Sequence, residues 1–519
     1  MTADAARFMI GVAAALAGWL IPRAVARARI ETLAAVGLDL APALLTAVLI
    51  SLACGRALFA GAVVLALGSG FALADATKRA VLREPVVFSD MSELGHVFTH
   101  PHLYLPFAGP AVVIGGALAA AGLAVGLLIF TPPLWSPHPL AAFAAALLVG
   151  GGWWFVSREP WLGRAAELLR RLQPSGEPGA DAARLGPFAA LLVHGVIARA
   201  ERDQRRAPYR PLPAPALQVT RALSPVVVVQ CESFFDARRV SPQVPQDLLP
   251  GFDACRARGA IYGRMEIPAW GANTMRAEFA VLTGIGEARL GYDRFNPYHA
   301  FARAPLASLA RCLRANGYRT LCLHPYDRRF FRRDLTMPAL GFDAFLGCEE
   351  LGGSARPPYL SDLEFGRRLV RILDEAGPAT FIFAITMGNH GPWPDHAPGP
   401  APLAGGCGLG DLPQGRALLR YLHGLKASDE MLALLLDELG PQRRDALLGF
   451  YGDHQPSLPA AFGHLGFADW ASDYILLDGP SARAQRIDLP VHRLHSMILD
   501  RLCRRGVIVD PQPAALGAA

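Results

Sequence analysis

The stretch "VVVVQCESFFDARR", residues 226–239, runs four consecutive valines toward a carboxylate, Glu232. A β-branched run of this length, closed by polar residues, reads as a strand buried on both faces of a sheet. The same pattern predicts strands over Pro225–Gln230, Thr320–Leu323, Thr380–Ile385, Leu447–Phe450 and Tyr474–Leu477. Between them, "APLASLARCLRANGY" (304–318) and "RALLRYLHGLKASDEMLALLLDEL" (416–439) carry apolar residues at three- and four-residue steps, as helices do. Strands alternating with helices specify an α/β domain with a central, mostly parallel sheet.

Polar residues gain meaning from where those strands stop. Glu232 follows the first, His324 the second, Asn389 and His390 the third, and Asp453 with His454 the fourth. Ligands of open α/β sheets bind at the carboxyl ends of the strands. Taken singly, a carboxylate after a strand caps a helix and a lone histidine is structural; together they form a set. Glu232, Asp453 and His454 offer oxygen and nitrogen donors suited to a divalent ion such as Mn²⁺ or Zn²⁺. In "PAWGANTMRAEFAVLTG" (268–284), Thr274 stands just before a helical run, whose N-terminus favours an anionic group. A threonine hydroxyl activated there by a divalent ion can attack a phosphorus centre.

Upstream the chain changes character. With 52% hydrophobic residues over 519 positions it is too apolar to be wholly soluble, and the excess lies between Phe8 and Ser157. Candidate spans are Phe8–Ile21, Leu33–Cys54, Ala57–Ala74, Ala108–Phe130 and Leu140–Val156, judged against the roughly 20 residues a helix needs to cross a bilayer. The first reads as an uncleaved anchor, because no small-residue cleavage site follows it and further spans do. A short piece within "VVFSDMSELGHVFTHPHLYLPF" (86–107) can be amphipathic or re-entrant. The expected division is a polytopic membrane domain (1–157), a helical and Pro-rich linker (158–215) containing most of "APYRPLPAPALQ", and an α/β domain (216–510).

Net charge is +6, and nearly every cation is an arginine. Arg158, Arg164, Arg170, Arg171, Arg199, Arg202, Arg205 and Arg206 form a belt suited to anionic headgroups of a lipid bilayer, or equally the solvated face of a linker. No basic patch interleaved with aromatics appears, so no nucleic acid partner is expected. Eight cysteines without a CxxC give neither a zinc knuckle nor a redox motif; a Cys312–Cys322 pair is the one disulfide considered.

Five blocks carry a resemblance: "CESFFD" (231–236), "GANTMRAEFAVLTG" (271–284), "HPYDRRFFRRDLTMPALGFDAF" (324–345), "TMGNHGPW" (386–393) and "YGDHQP" (451–456). In this order, behind five spans, the chain resembles the lipoteichoic acid synthase and phosphoglycerol transferase family of the alkaline phosphatase and sulfatase superfamily. The resemblance implies a sulfatase-like catalytic domain and a metal held by Glu232, Thr274, Asp453 and His454, with Thr274 also the nucleophile. It implies His390 beside the transferred group, Arg333 as a two-donor grip on phosphate, and Phe331 where the family often has Trp; His324 is a further substrate-binding candidate. Arg276 is added for its proximity alone. One divalent ion is implied, Mn²⁺ first, with Mg²⁺ and Zn²⁺ as alternatives.

The reaction that the resemblance implies is a two-step transfer of glycerophosphate from phosphatidylglycerol, through a phospho-threonine, to a glycan hydroxyl. An Arg- and Ala-rich composition suggests a high-GC bacterium, which favours a periplasmic glucan or capsular polysaccharide as acceptor. A phosphoethanolamine transferase or a superfamily phosphodiesterase is the alternative. A sulfatase would need Cys or Ser in a C/S-x-P/A-x-R context, where "NTMRA" has Thr274. A non-catalytic scaffold would lack a ligand residue, and none of the four is missing. Loop charges and resemblance disagree about sidedness. Arg23, Arg27, Arg29, Lys78, Arg79 and Arg83 lie on the side of the C-terminal domain and argue for the cytoplasm; the resemblance implies the external face of the inner membrane, the side expected here.

Overall fold

The computed structural model describes residues 2–211, 223–395, 408–440, 444–479 and 483–507. The chain divides into two compact units, Met1–Asp203 and Gln204–Ala519. The boundary expected near residue 215 lies outside the described residues.

In the first unit, five helices are long and apolar enough to cross a membrane: Ala3–Val25, Leu33–Cys54, Ala57–Leu82, Pro110–Phe130 and Pro139–Val156. The first and third run past the expected ends at Ile21 and Ala74. The cations beyond those ends are held by carboxylates: Arg23 by Asp39 at 2.7 Å, Arg79 by Asp75 at 2.7 Å, and Lys78 by Glu84 at 2.8 Å and Asp90 at 2.7 Å. The stretch after the third span forms short helices, Leu94–Thr99 and Pro101–Ala108, neither long enough to cross.

Glycine spacing explains how the first and third spans pack. Gly11 and Gly18 face Gly61 and Gly68, and a Cβ on Gly61 or Gly68 would lie 2.0 Å or 1.8 Å from the carbonyl oxygen of Gly11 or Gly18. Seven-residue steps of glycine on both helices thus bring the backbones into contact, as lipid-embedded helices do when no hydrophobic force separates them from lipid. Buried Asp39 accepts from Trp19 Nε1, Arg23, and the backbone N–H groups of Phe188 and Ala189, so it caps the helix Pro187–Arg206 from within the second span.

The second unit is built on a nine-stranded sheet. Its strands are β1 (Val226–Cys231), β2 (Ile261–Glu266), β3 (Arg319–Leu323), β4 (Ala344–Leu346), β5 (Thr380–Ile385), β6 (Leu447–Gly452), β7 (Ser472–Asp478), β8 (Gln485–Arg486) and β9 (Leu489–Pro490). The order is β4-β3-β5-β1-β6-β7-β2-β8, with β9 also paired to β2. β1 lies parallel to both β5 and β6, and only β7 runs against its neighbours β6 and β2. The continuous valine run has a plain cause. Val227 and Val229 join a core with Phe365, Leu369 and Leu432 on one face, while Val226 and Val228 join Phe279, Tyr298 and Leu494 on the other.

β2, the short β4 and the two-residue β8 and β9 are not among the expected strands. β2, "IYGRME", alternates buried and half-buried residues around a glycine, an arginine and a glutamate, so it carries no apolar run. Cys312 and Cys322 are free thiols, the former half-buried on the helix Leu309–Ala315 and the latter inside β3, so the considered disulfide is not formed.

Candidate active site at the carboxyl edge of the sheet

β1 and β6 are adjacent and parallel, and Cys231 pairs with Gly452, so the residues that follow them emerge side by side. These are Glu232 and the pair Asp453–His454, all buried. The turn after β1 is tight: Ser233 takes a positive φ of 55° and donates its N–H to Asp453 Oδ1 at 2.8 Å and its hydroxyl to Glu232 Oε1 at 2.9 Å. Gly452 makes the approach feasible, because a Cβ there would sit 1.7 Å from the carbonyl oxygen of Phe234.

Ligand atoms of Glu232, Asp453 and His454 lie within 4.8 Å of one another. His454 Nδ1 faces the Gln455 carbonyl at 3.0 Å and so carries the proton. Nε2 then presents a bare lone pair to Glu232 Oε1 at 3.5 Å and Asp453 Oδ2 at 3.4 Å. Asp453 Oδ2 is buried with no hydrogen-bond partner. Burial, and then the Asp453 carboxylate, hold Glu232 well above the usual carboxylate range. Such a cluster out of water is stabilised by a shared proton or by a cation between its members, and the oxygen–nitrogen set fits a divalent metal.

Thr274 is the buried N-cap residue of the helix Met275–Thr283, reached by the loop from the end of β2, whose direction matches β1 and β6. Asn273 before it has a φ of 65°, a left-handed backbone uncommon outside glycine. One turn further on, Glu278 fixes the helix to the sheet. Its carboxylate accepts from Gln230 of β1 at 3.1 Å, from the Tyr298 hydroxyl, and from Arg333 Nε and one terminal nitrogen at 2.9 Å each.

That last pair corrects an expectation. The two-donor edge of Arg333 is spent on Glu278, so it is not the edge that could grip a phosphate; its other terminal nitrogen points to His324 Nε2 at 3.3 Å. His324 donates from Nδ1 to the Ile385 carbonyl at 3.2 Å, and burial plus the Arg333 charge keep the ring neutral. Phe331 lies under the Arg333 guanidinium at 5.4 Å. Arg276 donates from Nε to the Phe295 carbonyl at 3.1 Å and from a terminal nitrogen to the Pro268 carbonyl at 3.4 Å.

His390 is carried by the loop after β5. Asp362 secures that loop by accepting from Gly388 N at 2.9 Å and from Ser428 Oγ at 2.6 Å, and Asn389 is structural, bridging Trp393 and the Tyr421 carbonyl. His390 Nδ1 meets the Gly391 carbonyl, and burial lowers the ring's pKa, against the pull of that carbonyl and the Asp453 charge. The Tyr359 ring stands edge-on to His390, centroids 6.0 Å apart. Burial, and then the Glu232 carboxylate, push its phenol up to about 12. Glu278 and Tyr359 escaped sequence reasoning. Glu278 had a signal, four residues after Thr274 on the same helix face; Tyr359 sits in an irregular loop and had none.

Residues 225–494 match the sulfatase family. The chain is 30% identical over 419 residues to the capsular polysaccharide biosynthesis protein RkpI of Rhizobium meliloti (strain 1021), covering 78% of this chain and 74% of that protein. It is 30% identical over 266 residues to a putative cyclic beta-1,2-glucan modification protein of the same organism, covering 50% of this chain and 40% of the other. Among solved structures, the integral membrane lipooligosaccharide phosphoethanolamine transferase A (EptA) of Neisseria meningitidis shares the fold along 96% of this chain and 95% of its own, at 12% identity and a TM-score of 0.52. A set of apolar helices followed by a sulfatase-like domain is therefore an architecture common to both.

Proposed function

The chain belongs to the sulfatase family, and from that premise we propose that it is a membrane-bound phosphoglycerol transferase, moving glycerophosphate from phosphatidylglycerol to a hydroxyl of an extracytoplasmic glycan. The observation that carries the reading is the electron-rich cluster of Glu232, Asp453 and His454 at the sheet edge. Beside it, the helix headed by Thr274 is tied to β1 through Glu278 and Gln230.

Glu232, Asp453 and His454, with Thr274, would hold one divalent ion, Mn²⁺ in this reading. When bound it supplies positive charge to phosphoryl oxygens and lowers the pKa of a nearby hydroxyl. In the first step Thr274 Oγ forms a bond to the lipid phosphorus as the bond to the diacylglycerol oxygen breaks, and the hydroxyl proton ends on that leaving oxygen. In the second, the acceptor oxygen bonds to phosphorus, the Thr274 ester bond breaks, and the acceptor's proton returns to Thr274. With Nδ1 against the Gly391 carbonyl, neutral His390 keeps Nε2 as its basic nitrogen and relays these protons. The terminal nitrogen of Arg333 that Glu278 leaves over offsets phosphoryl charge from one side.

The "HPYDRRFFRRD" block supports glycerophosphate over phosphoethanolamine, as do the seven described cysteines, all free, since phosphoethanolamine transferases resembling this chain usually carry several disulfides. The names of the two R. meliloti proteins, a capsular polysaccharide biosynthesis protein and a glucan modification protein, support a glycan acceptor here. External placement of the catalytic domain follows in this reading from the acceptor, whose hydroxyls are assembled outside, and it stands against the Lys and Arg count of the loops after the first and third spans. Intact mass spectrometry of the full chain in detergent, incubated with Mn²⁺ and either phosphatidylglycerol or phosphatidylethanolamine, tests the donor. A glycerophosphoryl adduct supports it, and a phosphoethanolamine adduct in its place moves the chain to the other class.

A further inference from the structure

The loop "GGSARPPYLSD" (352–362) brings to the site a tyrosine that lies outside all five family-like blocks. Its far end is fixed: Ser361 caps the helix Asp362–Ala376, and Asp362 accepts from Gly388 N of the His390 loop. The Tyr359 ring stands edge-on to His390 at 6.0 Å and to Tyr326 at 6.1 Å, and Tyr326 in turn packs against His324 at 5.9 Å. Tyr359 thus packs directly on His390 and reaches His324 only through Tyr326, and it is close enough to Glu232 to feel its charge.

Its hydroxyl is the informative atom. The oxygen is out of contact with solvent and has no hydrogen-bond partner. Buried hydroxyls are nearly always paired, because an unmade bond costs the whole desolvation of the group. A phenol is protonated at neutral pH and so has a hydrogen to donate. Around it lie a histidine suited to proton transfer and a cluster built for a cation, the setting in which an anionic oxygen is brought in.

We propose that Tyr359 contacts the substrate, its hydroxyl donating a hydrogen bond to an oxygen of the phosphoryl group under transfer. This rests on the reading of the site as a phosphoryl-transfer centre and adds a donor beside His390. It makes Tyr359 a catalytic residue, because a donor aimed at phosphoryl oxygens acts where charge develops.

The test compares the full-length wild type, Tyr359→Phe and Tyr359→Leu in detergent on two substrates. One is phosphatidylglycerol; the other is bis(p-nitrophenyl) phosphate, whose cleavage needs no particular lipid headgroup. Tyr359→Phe keeps the ring against His390 and removes only the hydroxyl. The expected result is a fall of about 10- to 100-fold in kcat/KM on the chromogenic diester, the range for losing one hydrogen bond to a charged group. Weaker binding of inorganic phosphate, by calorimetry, should accompany it at unchanged metal content. Full activity and phosphate affinity in Tyr359→Phe overturn the proposal, and an impaired Tyr359→Leu beside it would assign the ring to packing. If the wild type cleaves the diester but transfers no headgroup, the donor assignment fails while the Tyr359 comparison still decides. If it cleaves neither, phosphate affinity alone decides.

Discussion

Arg333 and Glu278 face each other through two parallel N–H···O contacts of 2.9 Å, both side chains almost fully buried. The pair joins the Thr274 helix to the helix Arg333–Leu340, with Gln230 and Tyr298 completing the carboxylate's partners. Removing one member leaves the other charged and out of water, which costs about 3–5 kcal/mol. Glu278→Ala should therefore lower the thermal midpoint sharply, and the double substitution Glu278→Leu/Arg333→Met should recover much of the loss. Arg333→Lys cannot reproduce the fork and should behave nearer the single loss than the wild type. A double variant no more stable than Glu278→Ala would show that the pair is not the unit described.

Thr274 makes a sharper chemical prediction. Burial at a helix N-terminus, one turn before an anchored glutamate, leaves little for its hydroxyl to do structurally, and no side-chain capping bond is made. Thr274→Ala should keep the fold and lose turnover by a factor of about 10³ or more, the scale of removing an attacking group. Thr274→Ser, which keeps a hydroxyl, should still form the covalent adduct by mass spectrometry. Adduct formation by Thr274→Ala would remove it from the nucleophile role.

Much of this site could be read from strand ends. Glu232, His324, His390, Asp453 and His454 all follow strongly apolar strands, so the apolar runs alone locate them at strand ends. Strand β2 was hidden because its central residues Gly263 and Arg264 suit an antiparallel neighbour and a half-exposed face, not a two-sided core. Pairing was harder still. Nothing local in "FFRRD" says that Arg333 spends its fork on a residue 55 positions earlier, since that partnership depends on how two helices meet behind the sheet edge. Tyr359 was unreadable for the same reason: an aromatic in a Pro-rich loop acquires a role only from what the fold puts beside it.

Metal dependence is expected from the lone pair that His454 turns toward two carboxylates. Chelation should abolish transfer, and Mn²⁺ should restore it. It should also lower the thermal midpoint of the catalytic domain, because the ion that binds only the folded state contributes stability by mass action. Asp453→Asn removes one charge from the set, so metal content measured by elemental analysis should fall while the midpoint becomes nearly indifferent to chelator. Wild-type metal content in that variant would exclude Asp453 as a ligand.

His495 gives the domain a pH dependence that does not involve the active-site cluster. It lies buried on the helix His492–Arg504, its Nδ1 on the Val281 carbonyl at 3.0 Å and its ring against Gly284, beneath the Thr274 helix. Burial lowers its pKa to about 4, more than the Val281 and Leu282 backbone contacts raise it. In the unfolded chain the same ring titrates near 6.5. Between those values the unfolded state binds the extra proton, so the contribution is intact above pH 6.5 and is lost as pH falls toward 4. The full loss amounts to ~3 kcal/mol. His495→Gln keeps a donor for Val281 without a titrating ring. Thermal midpoints of wild type and variant at pH 7.5 and pH 5 should therefore diverge, with the wild type falling further on acidification. Parallel falls would mean that His495 is protonated in the folded protein as readily as in the unfolded chain, and that the helix beneath Thr274 is not where acid acts.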